Sequence, residues 1–178
     1  MKKVAVLLLV LALSIVFAVV PVMAAPAQKV SFKAIQIPNS TPPPQGEDFR
    51  VWVTEGDTFH TRNQNGAGTI KIWTTNSLAS PPNYVGTTSS KIDNNINLKT
   101  GEGMAKFQMT WTLPGGTFEG NIIGKTAAPP FTNNPLAYSH ELHGVLHGTG
   151  DFEGQTAMFD GTKPAGQPFT WTGTIIIP

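Results

Sequence analysis

The residues with the clearest potential for chemistry are the histidines between positions 139 and 147. The segment reads Ser139-His140-Glu141-Leu142-His143-Gly144-Val145-Leu146-His147. Its alternation of polar and apolar residues is typical of a β-strand, on which neighbouring side chains point to opposite faces. The zinc-protease motif is excluded. That motif needs a helix with Glu directly after the first of two histidines four apart, whereas Gly144 follows His143.

A strand places these side chains on two faces. Glu141 and His143 share one face about 7 Å apart, close enough for a carboxylate–imidazole pair or for one shared metal ion. His147 lies about 13 Å from His143, which is too far to join them on a straight strand. The other face carries Tyr138, His140, Leu142 and Leu146.

If the apolar face is the interior, His140 is the unusual buried group of this segment. It then becomes, with Tyr138, the candidate for acid–base chemistry or for hydrogen bonding to a polar ligand. Glu141 and His143 in that case face water, and a surface metal site on them is the alternative.

Aromatic residues are the other candidates for contact with a ligand. The apolar phase of the predicted strands includes four of them, which are expected to form the core and any ligand-binding interior surface: Phe107, Trp111, Phe118 and Trp171. Trp52 and Trp73 fall on the opposite phase from their aliphatic neighbours. We therefore expect both of these tryptophans to be partly exposed and to serve as contact surface.

The composition excludes several classes of function. The 178 residues include no cysteine, so disulfides, thiolate metal sites and cysteine nucleophiles are ruled out. Charged residues make up only 13%, and without Lys2 and Lys3 there are ten basic residues against eleven acidic ones. No basic patch for nucleic acid is present. The sequence has no motif that requires a cofactor.

The N-terminus has the organisation of an export signal. Met1-Lys2-Lys3 is a short basic region, Val4 to Val20 is apolar apart from Ser14, and Val22-Met23-Ala24 resembles a signal-peptidase site. We predict a signal-peptide helix in residues 1–24 and a secreted or extracytoplasmic domain in residues 25–178. The alternative is an uncleaved anchor, which would be the only contact with a membrane.

The exported part is predicted to be all-β. Short alternating runs broken by Gly, Pro and Asn indicate an antiparallel sandwich or barrel, and no amphipathic helix is evident. Residues 38–48 are rich in proline and predict an exposed loop, on which Asn39-Ser40-Thr41 is a glycosylation acceptor. The candidate strands are 29–37, 49–54, 58–62, 68–75, 83–91, 95–99, 103–113, 116–126, 136–148, 152–159 and 169–177. Asn65-Gly66 and Lys163-Pro164 are among the pairs that predict turns or loops between strands.

A short internal echo supports a barrel. Gly116-Thr117-Phe118-Glu119-Gly120 is followed by the similar Gly150-Asp151-Phe152-Glu153-Gly154. We expect both segments to be strands in which large and small residues alternate on the inner face, as a tapering small barrel requires. The inner faces would carry Phe118, Gly120, Ile122 and Gly124 in the first, and Phe152, Gly154, Thr156 and Met158 in the second.

The segment His147–Ala157 resembles a hallmark of the allene oxide cyclase and dirigent barrels, a Gly-Gly-Thr/Ser-Gly turn followed by Phe-x-Gly and a small residue. His147 stands in place of the first Gly and Ala157 in place of the last. The resemblance covers residues 101–177 and implies a closed, calycin-like barrel of about eight antiparallel strands with an apolar interior. The family includes a cyclase of unsaturated epoxides, dirigent proteins that orient phenolic radicals, and bacterial members without assigned chemistry. The resemblance places no catalytic residue on this chain.

Three functions remain open at this point. The preferred one is a non-enzymatic, exported barrel that binds a small apolar ligand or a component of the cell envelope. The second is a cyclase- or isomerase-like enzyme that uses the barrel interior with His140 and Tyr138. The third is a structural or adhesive surface protein that uses its exposed aromatic residues. An interior fully packed with aromatic side chains would count against the first two, whereas an apolar cavity reaching His140 would favour them.

Overall fold

The structure is a computed structural model that describes residues 26–41, 43–74, 78, 81–129 and 137–178. The predicted signal peptide, residues 1–24, lies outside the described residues. Within the described residues the chain forms nine β-strands: β1 Gln28–Pro38, β2 Arg50–Thr54, β3 Thr58–Trp73, β4 Tyr84–Asn97, β5 Glu102–Leu113, β6 Gly116–Ala127, β7 Ser139–Gly150, β8 Thr156–Lys163 and β9 Phe169–Ile177.

Eight of these strands close into an antiparallel barrel. The hydrogen-bonded order runs from β1 through β9, β8, β7, β6, β5 and β4 to β3, and β1 also pairs with β3. The remaining strand, β2, pairs with residues 58–62 of β3, whereas β1 pairs with residues 68–73 on the same edge. The prediction of an all-β, closed, eight-stranded antiparallel barrel is confirmed, with β2 as an addition.

Apolar and polar residues alternate along the strands, so the apolar side chains face the interior of the barrel and the polar side chains face outward. On β5 every second residue from Ala105 to Leu113 is buried, and most of the intervening side chains are exposed. The middle of the barrel is filled by aromatic rings. The Trp111 ring stacks on Phe159 at 4.9 Å, and Phe159 meets Trp171 edge-on at 5.2 Å. Burying each such side chain contributes about 1.5–3 kcal/mol, so this aromatic layer is a main source of stability.

Two glycines make room for these rings. Gly161 on β8 lies so close to the Trp171 ring that a Cβ there would overlap it. A Cβ at Gly144 on β7 would lie 2.7 Å from the edge of the Phe159 ring. Glycine at these inward positions therefore allows the large rings to share a narrow interior.

Two pairs of predicted strands are in fact single long strands. β3 runs unbroken from Thr58 to Trp73, although Asn65-Gly66 predicted a turn, and β4 joins the predicted segments 83–91 and 95–99. A register shift between Thr61 and Gln64 lets β3 bend without ending. A Cβ at Gly66 would lie 2.6 Å from the Ser90 Oγ, so this glycine serves close packing and not a turn.

The predicted strand 152–159 begins too early, because residues 151–154 form a turn and β8 begins only at Thr156. Gly150 and Gly154 have φ angles of 62° and 80°, which favour glycine and end the ladder. The echoed segments therefore differ in structure, since Gly116–Gly120 starts β6 and Gly150–Gly154 is a hairpin turn. Phe152 still packs inward, with its ring stacked on Phe118 at 5.1 Å.

The correction changes the inward phase of β8. Ala157 and Phe159 are buried, whereas Met158 is 50% exposed, so the predicted inner face of this strand is its outer face. The same phase continues inward through Gly161 to Lys163. The side chain of Lys163 therefore points into the barrel.

The Pro-rich segment between β1 and β2 is exposed along most of its length and lies along β3. The Gln45 side chain takes the place of a backbone partner there, because its Oε1 accepts from the Asn65 N–H at 2.8 Å and its Nε2 donates to the Asn65 carbonyl at 3.4 Å. The Asn39 N–H donates to the Ala67 carbonyl at 2.9 Å. These bonds hold the loop over one end of the barrel.

Candidate functional site

A cavity of about 150 Å³ lies at the barrel end where β7 begins and β8 ends. Its wall is mostly apolar, and the Pro-rich loop covers part of it through Pro38 and Pro43. The lining also includes inward side chains of β1, β4, β5, β7, β8 and β9: Gln36, Ile92, Asn94, Phe107, Met109, His140, Lys163 and Phe169. Tyr138, immediately before β7, completes this part of the wall.

His140 lies on the inner face of β7 and is 7% exposed. The Phe107 ring meets the imidazole edge-on at 5.5 Å, and the Phe169 ring stacks on it at 5.6 Å. Burial, together with the charge of Lys163, lowers the pKa of His140 to about 3. The imidazole is therefore neutral near neutral pH. Its Nδ1 is buried and has no hydrogen-bond partner among the described residues.

Lys163 is a functional candidate that the sequence reasoning missed. It pairs in register with His140, is 2% exposed and lines the same cavity. Its Nζ donates to the Tyr138 carbonyl at 2.6 Å and lies 5.8 Å from the centre of the Phe169 ring. Burial lowers the pKa of the Lys163 amine and raises the pKa of the Tyr138 phenol. A signal was present in the alternation of Ala157, Phe159 and Gly161, but Lys163-Pro164 was interpreted as a loop marker.

Buried amides form the opposite wall of the cavity. Gln36 accepts from Trp171 Nε1 at 3.2 Å and donates to Thr88 Oγ1 at 3.1 Å, so its side-chain amide is bonded at both ends. Asn94 donates to Thr61 Oγ1 at 3.1 Å. Its Oδ1 is buried and, within the described part of the chain, has no hydrogen-bond partner. This wall therefore offers a buried acceptor beside the cavity.

The four predicted ligand-contacting aromatics do not share one site. Phe107 lines the cavity beside His140, whereas Trp111 and Phe118 line a second depression at the other end of the barrel. Trp171 is fully buried in the packed interior between them. The aromatic layer separates the two ends, so the barrel has a filled middle and an apolar cavity that reaches His140.

Glu141 and His143 lie on the outer face of β7, and both are exposed. His143 Nδ1 contacts the Asp160 carboxylate on β8, its direct cross-strand neighbour, so the acidic partner of His143 is Asp160. No group of three His, Asp or Glu residues that could hold a metal ion occurs among the residues that the structure describes. This pair is a solvent-exposed surface contact in the present structure.

The two tryptophans expected at the surface differ. Trp52 on β2 is 39% exposed, as predicted, and stacks on His60 at 4.9 Å with an angle of 7°. The Arg62 guanidinium lies 5.5 Å from the centre of the Trp52 ring. Trp73, at the end of β3, is only 5% exposed, so its predicted exposure was wrong. Trp73 and Ile72 are both buried, which departs from the strict alternation on which the prediction relied.

The cavity has the chemistry of a binding site for a small molecule with an apolar body and one polar group.

In the described ranges there is no helix with the length and hydrophobicity needed to span a bilayer. Comparisons of this chain with protein-family models, with curated proteins and with solved structures found no match.

Proposed function

We propose that this chain is an exported β-barrel that binds a small ligand, with a ring-sized apolar body and one polar group, in the cavity at the start of β7. The observation that carries the proposal is His140, a buried neutral imidazole whose Nδ1 has no partner among the described residues and which lines a cavity of about 150 Å³. Binding without chemical change is the simplest use of this arrangement.

The size and polarity of the cavity support this proposal. A protein cavity of about 150 Å³ is large enough to accept a molecule of the size of benzene. A buried polar atom without a partner costs about 1–3 kcal/mol. A ligand hydroxyl that donated to Asn94 Oδ1, or a ligand polar group that bonded to Nδ1 of His140, would remove part of that cost, while the ring contacted Phe107 and Phe169.

Export and the family relationship belong to the same proposal. Residues 1–24 combine a basic start, an apolar run and a small-x-small site, which supports secretion of a single domain in 25–178. The absence of cysteine fits a domain whose stability comes from a closed barrel, which leaves few free strand edges. The Gly148–Gly154 resemblance supports a place among the allene oxide cyclase and dirigent-like barrels, with a small ligand or an envelope component as partner.

A cyclase- or isomerase-like activity is the second candidate. It is favoured by the position of Tyr138 beside His140. The centres of these two rings are 6.3 Å apart, and both residues line the same cavity. A neutral imidazole can hydrogen-bond to a substrate and orient its carbonyl group. An adhesive role for the Trp52 surface is the third candidate, supported by the exposure of this aromatic side chain.

The binding proposal is tested with phenol and toluene, which have similar rings and differ in the hydroxyl group. We expect saturable shifts of the His140 and Phe107 NMR signals with phenol, and weaker binding of toluene. In His140→Leu, phenol should lose affinity by about fivefold, since one hydrogen bond is worth about 1 kcal/mol.

The matched control is His143→Leu, because His143 lies on the same strand but faces outward. This variant should bind phenol as the natural protein does. The absence of saturable shifts with both probes in the natural protein would contradict the proposal. Equal losses of phenol affinity in the two variants would also contradict it.

A further inference from the structure

Lys163 is the strongest nucleophile that the cavity contains. Its position on the inner face of β8 places the amine beside His140 and against the Phe169 ring. The hydrogen bond from Nζ to the Tyr138 carbonyl holds the amine at the cavity wall. Most surface lysines have a mobile and hydrated amine, so this fixed and enclosed position differs from the usual one.

We propose that Lys163 captures a small apolar aldehyde in this cavity by forming an imine. The inference rests on the proposed ligand-binding function and names the ligand class as aromatic or aliphatic aldehydes. An aldehyde has the apolar body that the rings accept and a carbonyl carbon that the amine can attack. The site would then hold its ligand covalently and reversibly.

The reaction is balanced by the protein and water alone. The lone pair of Nζ attacks the carbonyl carbon, and the carbonyl oxygen takes up a proton to give a carbinolamine. The hydroxyl group then leaves as water while nitrogen loses its remaining exchangeable proton, which gives a neutral imine. One amine and one aldehyde therefore yield one imine and one water, with no oxidant or reductant.

The surroundings of Lys163 favour each step. An amine must be neutral to attack, and burial lowers the pKa of Lys163, which raises the neutral fraction. His140 lines the same cavity as a neutral imidazole, so it can hydrogen-bond to the aldehyde and orient its carbonyl carbon toward the amine.

The test is to incubate the purified full-length chain with benzaldehyde and sodium cyanoborohydride at neutral pH. Protonation of the imine nitrogen gives an iminium ion, cyanoborohydride reduces this ion to a stable benzylamine, and peptide mass spectrometry then locates the label. We expect Lys163 to be labelled several-fold faster than Lys106 and Lys125, because burial lowers the pKa of the Lys163 amine and so raises its neutral fraction. The two reference lysines are exposed on the outer faces of β5 and β6.

Lys163→Met is the second measurement, because methionine keeps an unbranched apolar side chain without the amine. It should remove the fast labelling and leave only the slow reaction of the exposed lysines. A thermal melt checks that the variant is folded, and the mapping in the natural protein does not depend on the variant. Labelling of Lys163 no faster than that of the exposed lysines would overturn the inference.

The failure of this inference is distinguishable from failure of the proposed function. If phenol binds at His140 but benzaldehyde does not label Lys163, imine formation is wrong and reversible ligand binding stands. If phenol and toluene do not bind and no labelling is seen, both are wrong. Fast labelling that phenol suppresses by competition would support both.

Discussion

The Nε1–H of Trp171 donates to Oε1 of Gln36 at 3.2 Å, across 135 positions of the sequence. This bond joins the packed aromatic middle of the barrel to the wall of the cavity. The other end of the Gln36 amide donates to Thr88 on β4, so one side chain links strands β1, β4 and β9. Hydrogen bonds through Gln36 therefore connect the polar wall of the cavity to the aromatic layer.

Replacing Gln36 with leucine should destabilise the protein. The variant Gln36→Leu leaves the buried Nε1–H of Trp171 without its acceptor, which costs about 1–3 kcal/mol of unfolding free energy. Urea denaturation followed by tryptophan fluorescence measures the loss. The control is Gln108→Leu on the exposed face of β5, which should change stability by less than about 0.5 kcal/mol. Equal stability of the two variants would show that the Trp171 bond contributes nothing.

Gly161 leaves space for the Trp171 ring, and we therefore expect a larger residue at position 161 to destabilise the protein. A methyl group in Gly161→Ala would overlap the indole ring, and overpacking of this kind costs about 1–3 kcal/mol. Thermal unfolding followed by near-UV circular dichroism measures both stability and the packing of the ring. Thr162→Ala, at the neighbouring outward position, is the control and should be close to neutral. An unchanged melting temperature in Gly161→Ala would mean that the ring can move aside at no cost.

The burial of His140 predicts that stability falls in acid. The folded protein holds the pKa of His140 at about 3, whereas the unfolded chain has a value near the ordinary 6.5. Between these two values the unfolded state binds more protons than the folded state, so the unfolding free energy decreases as the pH falls through this window. The full effect is about 5 kcal/mol and is complete below a pH of about 3.

The measurement is urea denaturation at a series of pH values between 3 and 7. His140→Phe should remove the slope that this group contributes, whereas His143→Leu, on the outer face of the same strand, should keep it. NMR of the folded protein should show the His140 imidazole still neutral in the middle of the window. A His140 signal that titrates near 6.5 would be incompatible with its burial.

The His143–Asp160 contact should contribute little to stability. Both side chains are about three-quarters exposed, and exposed ion pairs contribute about 0–1 kcal/mol. Asp160→Asn should therefore change the unfolding free energy by less than about 1 kcal/mol. Comparison of the two proteins in low and high salt checks the electrostatic origin of any difference. A loss as large as that of Gln36→Leu would show that this surface pair has a structural role.

The alternation of side chains predicted the parts of the fold in which it is uninterrupted. Strands β5, β6 and β9 and the inward position of His140 follow from period-2 patterns in which one face is apolar. The prediction failed at glycines, because this residue occurs both in turns and at closely packed positions within strands. Gly66 was interpreted as a turn but is a site of close packing, and Gly150–Gly154 was interpreted as a strand but is a turn.

The candidate site was predictable only in part, because its residues are distant in sequence. His140, Tyr138 and Phe107 could be identified from their own strands. Lys163 could not, since its inward direction depends on where β8 begins, and a shift of one residue reverses every side chain of a strand. The acidic partner of His143 was also missed, because the pairing of β7 with β8 places Asp160 opposite and the sequence alone does not set that register.

The pairing of β1 with β9 determines when this domain can fold. β9 follows every other described strand in the sequence, and β1 needs both β3 and β9 as neighbours. A ribosome or an export channel would therefore release most of the chain before the barrel had its final partner strand. Strands β2 to β9 pair in chain order, so the contact between β1 and β9 is the long-range step, and closure of the barrel is expected to come late in folding.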